Sequence, residues 1–211
     1  MVLLVTLERL NFRIMNADMK NGNHQSLQIG NQHWMLTNLK VKSFANGDVI
    51  LEAQNGDEWR DAGEKGTPAW CYYNNASNHE NDYGFLYNWY AVNDKRGLAP
   101  EGWSIPTDND WTQLIEFLGG EEIAGKLMKS KTLWKDEYKG TNKSGFNGHP
   151  GGSRNFFGAF NFMGSLGSWW SADEFNDQCS WCRLLYGNYD YVLRNYVSKE
   201  KGFSVRCLKK T

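Results

Sequence analysis

Hydrophobic side chains recur at helical spacing in the middle of the chain and predict three helices. The first is predicted over residues 83–93. Its inward face would consist of the residues at positions i, i+3, i+4 and i+7, which are Leu86, Trp89, Tyr90 and Asn93. The second follows Thr107, which can cap it in a capping box, and Gly119-Gly120 should end it; its apolar stripe is Trp111, Leu114, Ile115 and Leu118. The third runs from about residue 121 to 130 and should bury Ile123, Leu127 and Met128.

Short apolar runs on either side of these helices predict strands. Residues 1–30 alternate weakly and end in Asn-Gly turn signals, which indicates an N-terminal strand or arm. Residues 33–39 predict the next strand, whereas the polar stretch 54–67 is interpreted as a loop with a turn at Asn55-Gly56. Residues 169–208 predict three or four short strands separated by polar turns.

The composition favours one loop-rich domain. No linker, composition break or fixed-period repeat divides the chain, so residues 31–211 are predicted to form one domain behind the arm at 1–30. Aromatic residues make up 15% of the chain and stand beside 22 glycines, which indicates that rings fill irregular gaps between short elements. The predicted class is α+β, with two or three short helices, small antiparallel sheets and many loops.

Charge and hydropathy argue against two classes of partner. The net charge is −1 and no long run of like charge occurs, so we expect no nucleic-acid partner. No window is long and apolar enough to span a membrane, and the apolar start at residues 1–7 lacks the other features of a signal peptide, so we expect no membrane insertion. The chain could be intracellular, part of a virion, or a mature secreted form.

Signatures of catalysis and metal binding are mostly missing, and we expect a non-enzyme without a cofactor. Cys179-Ser-Trp-Cys182 has the spacing of redox and zinc motifs, but Cys71 and Cys207 are scattered singly and offer no second ligand pair. Oxygen-bearing side chains at 173–177 could form a calcium loop, although a surface turn is the preferred interpretation, and no metal site is predicted.

The C-terminal stretch has the composition of a recognition surface. Tyrosine offers broad amphipathic contact at low entropic cost, and Asn or Ser adapt their hydrogen bonds to a ligand. The predicted ligand-binding residues are Phe175, Asn176, Asp177, Tyr186, Asn188, Tyr189, Asp190, Tyr191, Asn195 and Tyr196. The alternative is that every second ring along a strand packs into the protein core while the polar residues between them face water, and Tyr186 is the best candidate for such a ring.

Ordered motifs along the chain resemble the Fibrobacter succinogenes major paralogous domain family. The motifs include Trp34-Met-Leu-Thr-Asn-Leu39, Tyr83-Gly-Phe-Leu-Tyr-Asn-Trp89, Leu98-Ala-Pro-Glu-Gly-Trp103, Pro150-Gly-Gly-Ser-Arg154, Gly167-Ser-Trp-Trp-Ser171 and Gly202-Phe-Ser-Val-Arg-Cys207. The resemblance implies a C-type-lectin-like fold, related to that of formylglycine-generating enzymes. The oxidase members use paired cysteines, and the C-x-x-C spacing here departs from their arrangement.

A second resemblance is to the variable proteins of diversity-generating retroelements, which display a hypervariable C-terminal segment on this fold. Their mutagenesis acts at adenines and yields residues such as Asn, Tyr, Asp, Ser and Cys, a set similar to that found at residues 170–206. The resemblance implies that Cys179 and Cys182 are by-products of variation, with Trp181, Arg183 and Arg194 fixed. The expected scaffold comprises Trp169, Trp170, Trp181, Gly202, Phe203 and Arg206.

These resemblances imply a receptor-binding display protein, in a phage tail or on a bacterial surface, that binds a cell-surface protein or glycan. One alternative is an oxidase of the same fold with Cys179 or Cys182 as its reactive thiol. The other is a structural surface or virion module that forms homo-oligomers through residues 1–30.

Overall fold

The computed structural model describes residues 24–210, so most of the predicted N-terminal arm lies outside the described residues. The strands are β1 (Ser26–Ile29), β2 (Gln32–Met35), β3 (Leu51–Glu52), β4 (Ala69–Cys71), β5 (Leu86–Tyr87), β6 (Trp103–Ser104), β7 (Ser153–Arg154), β8 (Phe160–Asn161), β9 (Leu166–Glu174), β10 (Cys179–Tyr186), β11 (Leu193–Ser198) and β12 (Leu208–Lys209). The α-helices are α1 (Gly56–Glu64), α2 (Glu80–Tyr83), α3 (Trp89–Val92), α4 (Asp108–Phe117) and α5 (Glu121–Met128).

The strands form small sheets, and the fold is α+β as predicted. The sheet orders are β1-β2-β12-β6, β11-β10-β9, β3-β4-β5 and β7-β8. All pairings are antiparallel except that of β3 with β4. Since β1 pairs with β2 residue by residue, the first sheet includes residues that precede the predicted domain start at 31.

Helix α4 forms where the apolar stripe and the cap predicted it. The Oγ1 atom of Thr107 accepts the backbone N–H of Asp110 at 3.1 Å, and the Asp110 carboxylate accepts the backbone N–H of Thr107 at 2.8 Å. This reciprocal pair satisfies two N–H groups at the helix start. Gly119 and Gly120 both have φ near +99°, and this left-handed backbone ends the helix.

The predicted helix over residues 83–93 is wrong. Gly84 has φ of +68°, and a Cβ there would lie 2.8 Å from the carbonyl oxygen of Leu39, so the chain turns sharply at this point. Leu86 and Tyr87 then form β5 against β4, and only Trp89–Val92 is helical. Tertiary strand pairing here overrides the helical spacing of the apolar side chains.

Helix α1 forms in the stretch interpreted as a loop. Its signal is local: the Asn55 side chain accepts the Glu58 N–H at 2.9 Å, and the Glu58 carboxylate accepts the Gln54 N–H at 2.8 Å. Trp59 and Ala62 bury its narrow apolar face. The helix is polar elsewhere, which is why hydrophobic spacing did not predict it.

Two further predictions need correction. The strand predicted over residues 33–39 ends at Met35. In α5, Ile123 is 52% exposed, and the buried face consists of Ala124, Gly125 and Met128. Small residues face inward because the backbone of residues 190–191 packs directly on the helix. A Cβ on Gly125 would lie 2.5 Å from the carbonyl oxygens of Asp190 and Tyr191.

The sheet β11-β10-β9 lies between the two largest hydrophobic clusters. On β9, Trp170 packs into one cluster and its neighbour Trp169 into the other, because successive side chains of a strand point to opposite faces. On β10, Leu184 and Leu185 divide in the same way. Both faces of the sheet are therefore held by core packing.

Buried arginines fasten the surrounding loops to this core. Arg206 donates to Asn38 Oδ1 at 2.7 Å and to the Phe146 carbonyl at 2.6 Å, and burial lowers the pKa of its guanidinium to about 9. Arg154 donates to the carbonyl oxygens of Ala53 and Asn55. Each guanidinium satisfies carbonyl groups that would otherwise be buried without a partner.

Candidate functional site

The predicted ligand-binding residues lie on the β9–β10 turn, the end of β10, the β10–β11 loop and β11. None of them is buried. Those that are exposed are Phe175, Asn176, Asp177, Asn188, Tyr189, Asp190 and Tyr196, and those that are half-buried are Tyr186, Tyr191 and Asn195. Of the expected scaffold, Trp181 alone is half-buried; the buried members are Trp169, Trp170, Gly202, Phe203 and Arg206.

One group of rings, the aromatic cluster, consists of Phe175, Trp181 and Tyr196. The rings of Phe175 and Tyr196 are stacked with their centroids 3.8 Å apart. Both meet Trp181 at nearly right angles, at 5.0 Å and 5.7 Å. Phe175 and Tyr196 are 42% and 47% exposed, so the cluster presents apolar ring surface to solvent.

Strand register explains this cluster. Trp181 of β10 and Tyr196 of β11 are direct cross-strand partners, so their side chains leave the same face of the sheet. Phe175 follows β9 at the turn that leads into β10 and closes over both rings. The sequence predicted Phe175 and Tyr196 as site residues but placed Trp181 in the scaffold, because the resemblance to retroelement variable proteins implied that Trp181 is a fixed position.

An arginine and an aspartate complete the aromatic cluster. The Arg194 guanidinium lies 3.5 Å from the centroid of the Trp181 ring and donates to both carboxylate oxygens of Asp108, at 2.8 Å and 3.2 Å. Buried Arg183 donates to the same carboxylate at 2.6 Å. Burial alone would raise the Asp108 pKa, but the hydrogen bonds from Arg194 and Arg183 outweigh it and hold that pKa below its usual value.

No sequence pattern marks Asp108 as a partner of this surface. It stands at the first position of α4, where an acidic residue is explained by the helix dipole alone. Its backbone N–H also donates to the Asp173 carboxylate at 2.7 Å, which ties β9 to the start of the helix.

A buried lysine holds the β9–β10 turn. The Lys199 ammonium pairs with the Glu174 carboxylate at 2.5 Å, donates to the Asp177 carbonyl at 2.8 Å and lies 4.8 Å from the Trp89 ring centroid. Within the turn, Asn176 Oδ1 accepts the backbone N–H groups of Gln178 and Cys179. The turn that carries Phe175 is thus closed by its own side chains and fastened to the core.

A second group, the tyrosine cluster, consists of Tyr186, Tyr189 and Tyr191. Tyr189 and Tyr191 are stacked at 4.8 Å, and Tyr186 meets Tyr189 at a right angle at 6.3 Å. Tyr189 is 45% exposed, while Tyr186 packs its inner side against the core. The alternative interpretation of Tyr186 as a strand residue facing the core therefore describes part of its environment.

Another buried lysine holds the β10–β11 loop. The Lys129 ammonium donates to the carbonyl oxygens of Gly187 at 2.9 Å and Tyr189 at 2.8 Å, and burial lowers its pKa. Lys126 adds a backbone hydrogen bond to the Asp190 carbonyl and an ion pair with the Asp190 carboxylate at 3.1 Å. The loop is therefore docked along α5.

The two clusters occupy different ends of β10. Trp181 and Tyr186 are separated by five positions in the sequence, an odd number, so their side chains leave opposite faces of the strand. At about 3.4 Å per residue their Cα atoms lie roughly 17 Å apart. The predicted surface therefore has two separate parts.

The C-x-x-C pair does not form a dithiol site. Cys179 and Cys182 stand at the first and fourth positions of β10, which places them on opposite faces with Cα atoms roughly 10 Å apart, too far for a disulfide. Burial raises the pKa of the Cys182 thiol to about 12. Cys71 and Cys207 are buried in different hydrophobic clusters and are not bridged.

Metal-binding clusters and membrane-spanning helices are both absent from residues 24–210. No three His, Cys, Asp or Glu side chains in this part of the chain come together as a set that could hold a metal. No helix in the same part is long and apolar enough to cross a membrane.

Fold and surface together define an α+β domain whose three-stranded sheet carries exposed aromatic clusters on anchored turns. The chain belongs to the Fibrobacter succinogenes major domain family, whose family model matches residues 27–209. This confirms the resemblance drawn from the sequence motifs. Comparison with curated proteins gave no match, and neither did comparison with solved structures.

Proposed function

We propose that this chain is a ligand-binding display protein with a C-type-lectin-like fold that binds a cell-surface protein or glycan. The observation that carries the proposal is the aromatic cluster, in which Phe175 and Tyr196 are more than two-fifths exposed although both pack on Trp181. Large rings held in place at the surface are the commonest anchors of recognition sites.

Anchored turns support the proposal because they lower the entropic cost of binding. Lys199 fixes the turn of Phe175, and Lys129 fixes the loop of Tyr189. Side chains that are already ordered before a ligand arrives lose little freedom on binding. Both tyrosine and phenylalanine have few rotatable bonds, which reduces the cost further.

The same surface suits diversification by a retroelement, which we include in the proposal. The predicted ligand-binding residues and Cys179 are exposed or half-buried, whereas Cys182 is buried in the core like the scaffold residues Trp169, Trp170 and Arg206. Exchanges at the former positions would leave the core intact. Sequencing of the DNA beside the gene tests this: a near-identical template repeat that differs only at adenines is expected, together with a reverse transcriptase gene.

The oxidase alternative receives no support from the thiol geometry. A paired-cysteine site needs two sulfur atoms on one side of a strand or loop, and Cys179 and Cys182 leave opposite faces of β10. A nucleophilic thiol also needs a low pKa, whereas burial raises that of Cys182. The self-assembly alternative concerns residues 1–30 and stays a prediction.

Binding of the labelled full-length chain to a panel of intact bacteria and to a printed glycan array tests the function. The double variant Phe175→Ala/Tyr196→Ala should lose about ten-fold or more in affinity, while the melting temperature falls by no more than about 4 °C. Phe157→Ala is the matched control, since this ring is 65% exposed on the β7–β8 turn. Equal loss in the control, or wild-type binding by the double variant, would contradict the proposal.

A further inference from the structure

Strand β11 forms an outer edge of the sheet that carries the predicted surface. It pairs with β10 in unbroken register from Leu193 to Ser198. Among the described residues, no strand pairs with its other side. The opposite edge of the sheet differs, because β9 is bridged there by the segment around Ser204.

The hydrogen-bond pattern shows which backbone groups point outward from this edge. The Lys199 N–H donates to the carbonyl of its cross-strand partner Gln178. Backbone groups alternate in direction along a strand, so the N–H and C=O groups of Leu193, Asn195 and Val197, at every second position before Lys199, also point towards β10. Arg194, Tyr196 and Ser198 therefore direct their backbone N–H and C=O groups away from β10, where the Ser198 carbonyl already accepts the Lys201 N–H at 3.1 Å. The Tyr196 N–H accordingly donates to the side chain of Asn195 at 2.9 Å instead of to β10.

The edge lacks the features that usually prevent strand pairing. It contains no proline, lysine or bulge over its six residues. Its one charge, Arg194, is neutralised by Asp108 and held over the Trp181 ring. In contrast, the strands β3, β6, β7 and β8 offer only two residues each.

Side chains on both faces of the edge could contact an added strand. Tyr196 borders it on the face of the aromatic cluster. Leu193 and Val197 border it on the other face, where both are half-buried against the core. An added strand would therefore meet apolar surface with alternate side chains on each face.

We propose that the ligand is an extended segment of another polypeptide, which binds as a fourth strand beside β11. The inference rests on the proposed function and names its ligand class. Outward N–H and C=O groups that recur at every second residue are matched in spacing by another extended backbone, whereas a glycan offers no such repeat. The aromatic cluster, with Leu193 and Val197, then selects the side chains of the segment.

Selection of a displayed library of random linear peptides on the full-length chain tests the inference. Ser198→Pro removes one outward N–H without disturbing the ladder to β10, and Ser198→Val keeps that N–H as the matched control. Selected peptides should bind Ser198→Pro about three- to ten-fold more weakly than wild type and Ser198→Val about as well. The Arg194 amide should exchange hydrogen slowly only when a peptide is bound.

Four results would overturn the inference: failure of the selection to enrich any peptide, equal binding of the selected peptides to both variants, rapid exchange of the Arg194 amide in the complex, or dimerisation of the chain that Ser198→Pro abolishes. If Ser198→Pro fails to fold, as circular dichroism would reveal, amide exchange in the wild-type complex decides. The proposed function is judged separately, because Phe175→Ala/Tyr196→Ala would still weaken binding about ten-fold or more even if the edge is not used.

Discussion

The Lys129 ammonium lies 2.8 Å from the carbonyl oxygen of Tyr189, with its side chain only 2% exposed. It also donates to the carbonyl of Gly187, so one buried cation joins α5 to the loop of the tyrosine cluster. Lys199 plays the same part for the turn of Phe175, through the Asp177 carbonyl. Each exposed turn of the predicted surface thus has a buried ammonium group beneath it.

Replacement of Lys129 by methionine should release the β10–β11 loop. The change keeps much of the apolar stem but leaves the carbonyls of Gly187 and Tyr189 without their donor, which costs about 2 kcal/mol or more in unfolding free energy. Urea unfolding measures the loss, and amide exchange should accelerate across residues 187–191. Lys131→Met, at an exposed site, is the control, and an equally large effect there would refute the assignment.

Gly125→Ala should destabilise the protein although alanine is the better helix former. The added Cβ would lie 2.5 Å from the carbonyl oxygens of Asp190 and Tyr191, so the loop must move off α5. In an exposed helix the same exchange stabilises by about 1 kcal/mol. A fall in melting temperature is therefore expected, and any rise would show that the loop is not held closely against the helix.

How far the sequence could predict this molecule depended on whether the signal was local. The cap at Thr107 and the strand pattern after Trp169 are local, and both elements formed as predicted. The prediction of a helix over residues 83–93 was wrong because β5, within this stretch, pairs with β4. The site residues were chosen by composition, which cannot reveal that Asp108 reaches Arg194 across the fold.

Asp108 should contribute more to the free energy of unfolding than its half-exposed partner Arg194 does. Asp108→Ala leaves the guanidinium of Arg183, which is 1% exposed, without its counter-charge, and such losses cost about 3–5 kcal/mol. Arg194→Ala removes a half-exposed pair and should cost no more than about 1 kcal/mol. Urea unfolding of both variants compares them, and similar losses would contradict the distinction drawn from burial.

The thiols should differ sharply in reactivity. Cys179 is half-exposed, whereas Cys71, Cys182 and Cys207 are buried, so a thiol reagent should modify one cysteine rapidly in the native chain and the others after unfolding. Cys179→Ala should abolish the rapid phase. A rapid phase that persists in this variant, or a second fast-reacting thiol in the wild type, would revive the reactive-cysteine alternative.

The buried thiols should also make stability fall in alkali. Burial raises the pKa of the Cys182 thiol from the ordinary value of 9.0 to about 12. Between these two pH values the thiol therefore loses its proton in the unfolded chain but keeps it in the native chain. The unfolded state then binds fewer protons than the native state, and the unfolding free energy falls as pH rises from about 9 towards 12, by up to about 1.4 kcal/mol per unit. Cys182→Ala removes this contribution. Urea unfolding at about pH 8 and about pH 10.5 should therefore show a smaller loss in the variant than in the wild type, whereas equal losses would mean that the thiol ionises alike in both states.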